Sequence, residues 1–312
     1  MTIRRSGYTQ DRRLTDASGT CDVSRVRAML LTVALACTGC EHYLAGVQID
    51  ILQRSAPAIE QESDIRLAED AAASGILQLE GFYVAYGKDA RMLPLLVRAT
   101  CGYAAGFLAD RWEAAALAGD RDTAETLARS ATTLLDRCRD HAHAALEARF
   151  ARVLDPRDAS LASATRDDAE MLYWLGTSRL VAASLAPRPR DVTRAIELVA
   201  RAVELDDQLD HQQGHVVLGI AYASLPASLG GDPERGRAEL EHAIAATNGR
   251  LLVARVMLAR FYAVTTHKPD VFDRVLGEVV ATSPAIWPEQ RLANELAVAK
   301  ARRYLTYRQR WF

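Results

Sequence analysis

Neither sign of charge dominates this 312-residue chain: 38 basic and 40 acidic residues, spread along its length, leave a formal net charge of -2. No polyelectrolyte partner is signalled, and nucleic acid is not an expected ligand. Glycine and proline are few, 18 and 10, and β-branched runs are scarce. With alanine and leucine abundant, no segment reads as a strand, and helix is favoured nearly everywhere from residue 60 onward. The signatures of common chemistries are missing too. No G-x-S-x-G, P-loop, G-x-G-x-x-G or H-E-x-x-H occurs, so no catalytic residue is assigned and neither a cofactor nor a metal is expected. What the chain does have is an apolar content of 49%, ample for a sizeable core.

The amino-terminal region reads as a leader. Residues 28 to 39 are uncharged, with Arg25 and Arg27 just before them; the run is too short for a spanning helix of about 20 residues but suits the h-region of a signal peptide. It ends Leu35-Ala36-Cys37-Thr38-Gly39-Cys40, which resembles a bacterial lipobox and makes Cys40 the expected lipidation site and first mature residue. Cys37, preceded by Ala34-Leu35-Ala36, offers a second register, and an ordinary buried helix with two core cysteines is the competing structural reading. Residues 1–22 are polar and patternless, and translation from Val23 would give a more compact leader. The expected organisation is a signal peptide over 1–39, a lipid-anchored tether over 40–60 and a helical domain over 61–312.

Within that domain, apolar residues recur at three- and four-residue steps, which predicts helices over 64–87, 90–118 and 121–152, the last arm closed by Pro156, with a polar loop at 156–166. Further helices are expected at 167–186, 191–206, 211–227, 232–246, 250–266, 270–282 and 289–310, with Pro187-Arg188-Pro189 as a turn. Small residues seven apart recur on every second helix: Ala124 and Ala131, Ala195 and Ala202, Gly236 and Ala243, then Phe272 and Val279 at the same spacing. The period is irregular, and the expected fold is all-α, a degenerate tetratricopeptide-like α-solenoid of antiparallel helix pairs with a concave binding surface.

Few residues stand out for chemistry. His141 and His143 point to different sides of a helix, whereas His211 and His215, four apart, could share a metal; with no further ligands at the right spacing they read as exposed histidines near a helix start. Asp167-Asp168 and Asp206-Asp207 read as caps and helix-dipole partners. Cys101 and Cys138 lie at matching heights on either side of a turn at Gly119. They would allow a disulfide in an exported domain, and otherwise read as two small buried residues. Because aromatics make up only 6% of the chain, Tyr103, Tyr173, Trp174 and Tyr222 are the candidate residues for a ligand or partner face, core filling being the alternative.

Three stretches carry a resemblance: Asp168-Ala169-Glu170-Met171-Leu172-Tyr173-Trp174, the segment from Ser224 through Gly230-Gly231-Asp232-Pro233 to Arg237, and the segment from Arg291 to Arg302. In this order they resemble the TatT family, tetratricopeptide-like lipoproteins associated with TRAP transporters, over about residues 60 to 305. The resemblance implies a periplasmic protein held by its lipid, outer-membrane anchored, that binds the solute-binding protein of the transporter, with a role in passing a hydrophobic or organic-acid ligand. It also implies a homotrimer. A structural scaffold lipoprotein for envelope assembly or secretion, needing no small ligand, is the alternative reading.

Overall fold

The computed structural model describes residues 46–185 and 192–312. The leader, Cys40 and the Pro187-Arg188-Pro189 turn lie outside the described residues. Every element below falls within one compact unit, Gln48–Phe312. The described residues are mostly helical, without a strand. After the short helix Pro57–Glu60, ten longer helices follow among the described residues: α1 Ile65–Ala85, α2 Ala90–Ala118, α3 Arg121–Phe150, α4 Ala169–Leu185, α5 Val192–Leu205, α6 Gln213–Ser224, α7 Pro233–Ala246, α8 starting as Leu252–Met257 and running on through Leu258–Ala263, α9 Pro269–Ala281 and α10 Arg291–Thr306.

Local chemistry sets the bounds. Asp64, Asp120 and Asp232 are N-caps, each accepting backbone N–H bonds from the first turn of its helix, which satisfies donors the helix itself leaves open. Gly119 ends α2 in the left-handed conformation at φ 82°, where a Cβ would be strained. Pro156 does not close α3. The helix stops at Phe150, and residues 151–154 form turns that bury Val153 beneath it. The buried positions of α3 are Ala124, Leu127, Ala131, Leu135, Cys138, Ala142, Leu146 and Phe150, a continuous stripe at steps of three and four. Each large member contributes about 1.5–3 kcal/mol on burial. α2 is long and apolar enough to cross a membrane by length and composition, and 56% of its most apolar window is packed inside the fold.

Successive helices pack as antiparallel hairpins, α2 on α3, α4 on α5 and α6 on α7. Small residues set how closely they meet. A Cβ on Gly176 of α4 would come within 2.7 Å of the Ala195 carbonyl oxygen on α5, and one on Gly236 of α7 within 2.7 Å of the Gly219 carbonyl oxygen on α6. Ala195, Ala202 and Ala243 are wholly buried, as are Phe272 and Val279 of α9, whose larger side chains fill the corresponding place. Cys101 and Cys138 are joined by a disulfide across α2 and α3, with Cα atoms 5.4 Å apart.

Two stability outcomes follow from this packing. Replacing Cys101 and Cys138 by serine, or reducing the bond, should lower the unfolding free energy by about 4 kcal/mol, the loop-entropy value for the 37-residue separation. Equal denaturant midpoints with and without reductant would show that the bond contributes nothing. Gly236→Ala should cost about 2 kcal/mol by forcing α7 away from α6, read as a lower midpoint with an unchanged slope.

A candidate ligand cavity

α10 lies against α1 as well as α8 and α9, and its charged face meets α2, so the row of hairpins closes on itself. The closing contact joins residues about 190 positions apart. Arg303 donates to Asp110 of α2, the Lys300 ammonium stands 2.7 Å from Asp110 and 3.3 Å from Glu113, and the Tyr304 hydroxyl donates to Glu113 at 2.7 Å. Burial works to raise the pKa of Asp110, but Lys300 and Arg303 outweigh it and hold this carboxyl below its ordinary 3.8. Burial, followed by the Glu113 charge, pushes the Tyr304 hydroxyl well up.

Between these elements lies a cavity of about 540 Å³, within the size range of small-molecule sites. Ala105, Ala109 and Trp112 of α2, Leu180 and Val181 of α4, Val217 and Ile220 of α6, and Met257 and Phe261 of α8 form its apolar wall. Asp110, Glu113, Arg260, Lys300 and Tyr304 gather on it as a charged end. Both π-helical turns among the described residues, Ala104–Leu108 in α2 and Leu258–Ala263 in α8, contribute wall residues. Such turns shift the register of a helix by one residue and recur at functional sites. Arg260 lies in the second of them. Its Nε is buried without a hydrogen-bond partner among the described residues; the guanidinium sits 4.6 Å from the Trp311 ring centre and 3.9 Å from the nearer Glu113 oxygen.

The residues singled out from sequence fall elsewhere. Tyr173 and Tyr222 are each 3% exposed, which removes them from any open face. Burial pushes the Tyr173 hydroxyl well up from its ordinary pKa. Tyr222 lies under the Arg235 guanidinium at 3.9 Å. Trp174 packs against Tyr173 with ring centres 4.7 Å apart, and Tyr103 tilts against Phe107. None of the four lines the cavity; its aromatics are Trp112, Phe261 and Tyr304, which no sequence signal separated from core filling.

The polar candidates are resolved as well. Asp168 caps with Thr165 in a reciprocal box and binds Arg149, and Asp206 accepts from Arg166 and the Gln208 N–H. His141 meets Glu80, and His143 meets the Ala151 carbonyl, so these two point apart. His211 is exposed, against Trp287. His215 is not an exposed helix-start residue: it is 7% exposed, with Nδ1 2.7 Å from Glu239 and Nε2 3.1 Å from Asp207. Burial works against its charge, but these two carboxylates outweigh that and raise its pKa.

Helical hairpins around an apolar cavity with one charged end make this an all-α protein with a candidate ligand site. The sequence matches the TAtT family, TRAP transporter T-component, over residues 61–312, and the chain belongs to that family. A protein of Treponema pallidum (strain Nichols) described as "Uncharacterized protein" is 29% identical over 148 residues, covering 46% of this chain and 45% of that protein. The chain thus matches about half the length of that relative. Membership places the chain in a family described as a TRAP transporter component.

Asp110→Asn leaves Lys300 and Arg303 with one carboxylate fewer and should cost about 3 kcal/mol at neutral pH. The folded pKa of Asp110 is depressed, so its contribution is complete above the unfolded value near 3.8 and is lost as pH falls through the lower folded value. The difference in unfolding free energy between wild type and variant should therefore shrink below pH 4. A constant difference down to pH 3 would show that the ion cluster does not hold α10 to α2.

Proposed function

We propose that this chain is a periplasmic, lipid-anchored component of a TRAP transport system that receives an organic acid with an apolar body and passes it to or from the solute-binding protein. The observation that carries the reading is the cavity's combination of apolar wall and charged end. With Arg303 behind Arg260 and Lys300, three cations face only Asp110 and Glu113, an excess of one positive charge. Arg260 also holds an Nε–H without a partner, a donor suited to a carboxylate. A scaffold needing no ligand would gain nothing from a cavity of this size, and packing alone would favour filling it.

The finer architecture supports the same reading. The close approaches of Gly176 on Ala195 and Gly219 on Gly236 are what degenerate tetratricopeptide-like units need, with first helices such as α4 and α6 turned to the inner, cavity side. Leu67, Leu77 and Val84 of α1 are 57%, 71% and 66% exposed; this apolar stripe suits docking of the solute-binding protein or of further copies in a homotrimer. We assign residues 1–39 to a signal peptide, Cys40 to lipidation toward the outer membrane, 40–60 to a tether and 61–312 to the binding domain.

Octanoate and octanol, titrated calorimetrically, distinguish the charged end from the apolar wall. Octanoate should bind at least about 10-fold more tightly, and Arg260→Gln should erase that difference. Ala105→Trp, which fills the cavity, should abolish both. Equal affinities for the two probes in the wild type, or octanoate binding unaffected by both substitutions, would overturn the assignment.

A further inference from the structure

Away from the cavity, three ligand-type atoms converge where the connector after α5 meets α6 and α7. The Asp207 Oδ1 stands 3.1 Å from the His215 Nε2 and 3.5 Å from the His242 Nε2, and all three atoms lie within 4.8 Å of one another. The two imidazoles are 4.2 Å apart between ring centres. We propose that Asp207, His215 and His242 form a binding site for a divalent cation of borderline softness, zinc in particular.

The geometry is that of a coordination sphere. Nitrogen and oxygen ligands about 2.0–2.2 Å from a tetrahedral zinc stand about 3.3–3.5 Å from one another, and the two measured separations from Asp207 bracket or approach that edge. Two imidazoles and a carboxylate suit zinc, whereas calcium and magnesium favour all-oxygen sets. The supporting contact is present as well: the second nitrogen of His215, Nδ1, is held by Glu239 at 2.7 Å. A carboxylate there fixes the ring so that Nε2 faces the ion and raises its basicity. With neutral imidazoles the four groups carry a charge of -2, which a divalent cation neutralises. His215 is buried, while His242 and Asp207 side chains are 45% and 61% exposed, so an ion can enter and a fourth position stays open to water. The ligands come from three consecutive elements; the bound ion pins the 206–212 connector to the α6–α7 hairpin. The site is separate from the cavity, whose lining includes none of these residues.

Calorimetric titration of zinc chloride into the tag-free full chain, stripped beforehand with EDTA, should give one ion per chain. Asp207→Ala and His242→Ala, both at exposed positions, should each weaken binding at least about 10-fold, and Glu239→Gln by about 10-fold with the stoichiometry kept. Circular dichroism of the variants confirms folding. Cobalt(II) in place of zinc should show the intense visible bands of four-coordinate geometry, lost in His242→Ala. Zinc at 100 times its Kd should raise the wild-type Tm by about 5 °C. No zinc uptake by the folded wild type, or uptake equally strong in Asp207→Ala and His242→Ala, would reduce the cluster to a histidine held between two carboxylates and overturn the proposal.

Discussion

Closure of the helix row rests on a small group of ionised side chains. Asp110 and Glu113 on α2 meet Lys300, Arg303 and Tyr304 on α10, beside the apolar contact of Phe107 with Leu292, and so bring the last helix back onto the second. The four charged side chains are each about one-sixth exposed and Tyr304 is buried, so they interact in a medium far less polarisable than water, where an unpaired charge is costly and a mutually satisfied network is rigid. Four of these side chains, Asp110, Glu113, Lys300 and Tyr304, also finish the cavity at one end, coupling its shape to the stability of the closed form.

The wall itself depends on close approach and on two irregular helical turns. Gly176 and Gly219 admit α5 and α7 at backbone distance, which draws the hairpins together on their outer side. The π turns at Ala104–Leu108 and Leu258–Ala263 then re-aim wall residues, Ala109 just after the first on α2 and Arg260 and Phe261 within the second on α8. A regular helix through either segment would rotate its apolar face by about a quarter turn. The disulfide between Cys101 and Cys138 fixes α2 to α3 a turn before the first of these segments, so the part of α2 that lines the cavity extends from an anchored base.

Much of the architecture could be read along the chain. The stripe of α3 from Ala124 to Phe150, the caps Asp64, Asp120 and Asp232, and the stop at Gly119 are local patterns, and the helices lie close to where those patterns place them. The end of α3 was less legible, because the turns after Phe150 are stabilised by the burial of Val153 and not by a local stop signal. The small residues at 195, 202, 236 and 243 marked the tight second helices, but their glycine partners at 176 and 219 carry no periodic signal of their own. For the site, aromatic character was a poor guide. Tyr173 and Tyr222 serve the core, and the aromatics that face the cavity, Trp112, Phe261 and Tyr304, look no different in sequence from those that fill it.

The sequence by itself determined the all-helical class, the approximate places of most helices and the family, since periodicity, capping and order along the chain are one-dimensional properties. Tertiary structure alone decided which of the many charged and apolar residues share a space. Asp110 and Lys300, or Asp207 and His242, become neighbours only through the crossing of helices distant in sequence or folded back on one another. The angles of those crossings are set by small side chains packed against a backbone, and no spacing along the chain records that outcome.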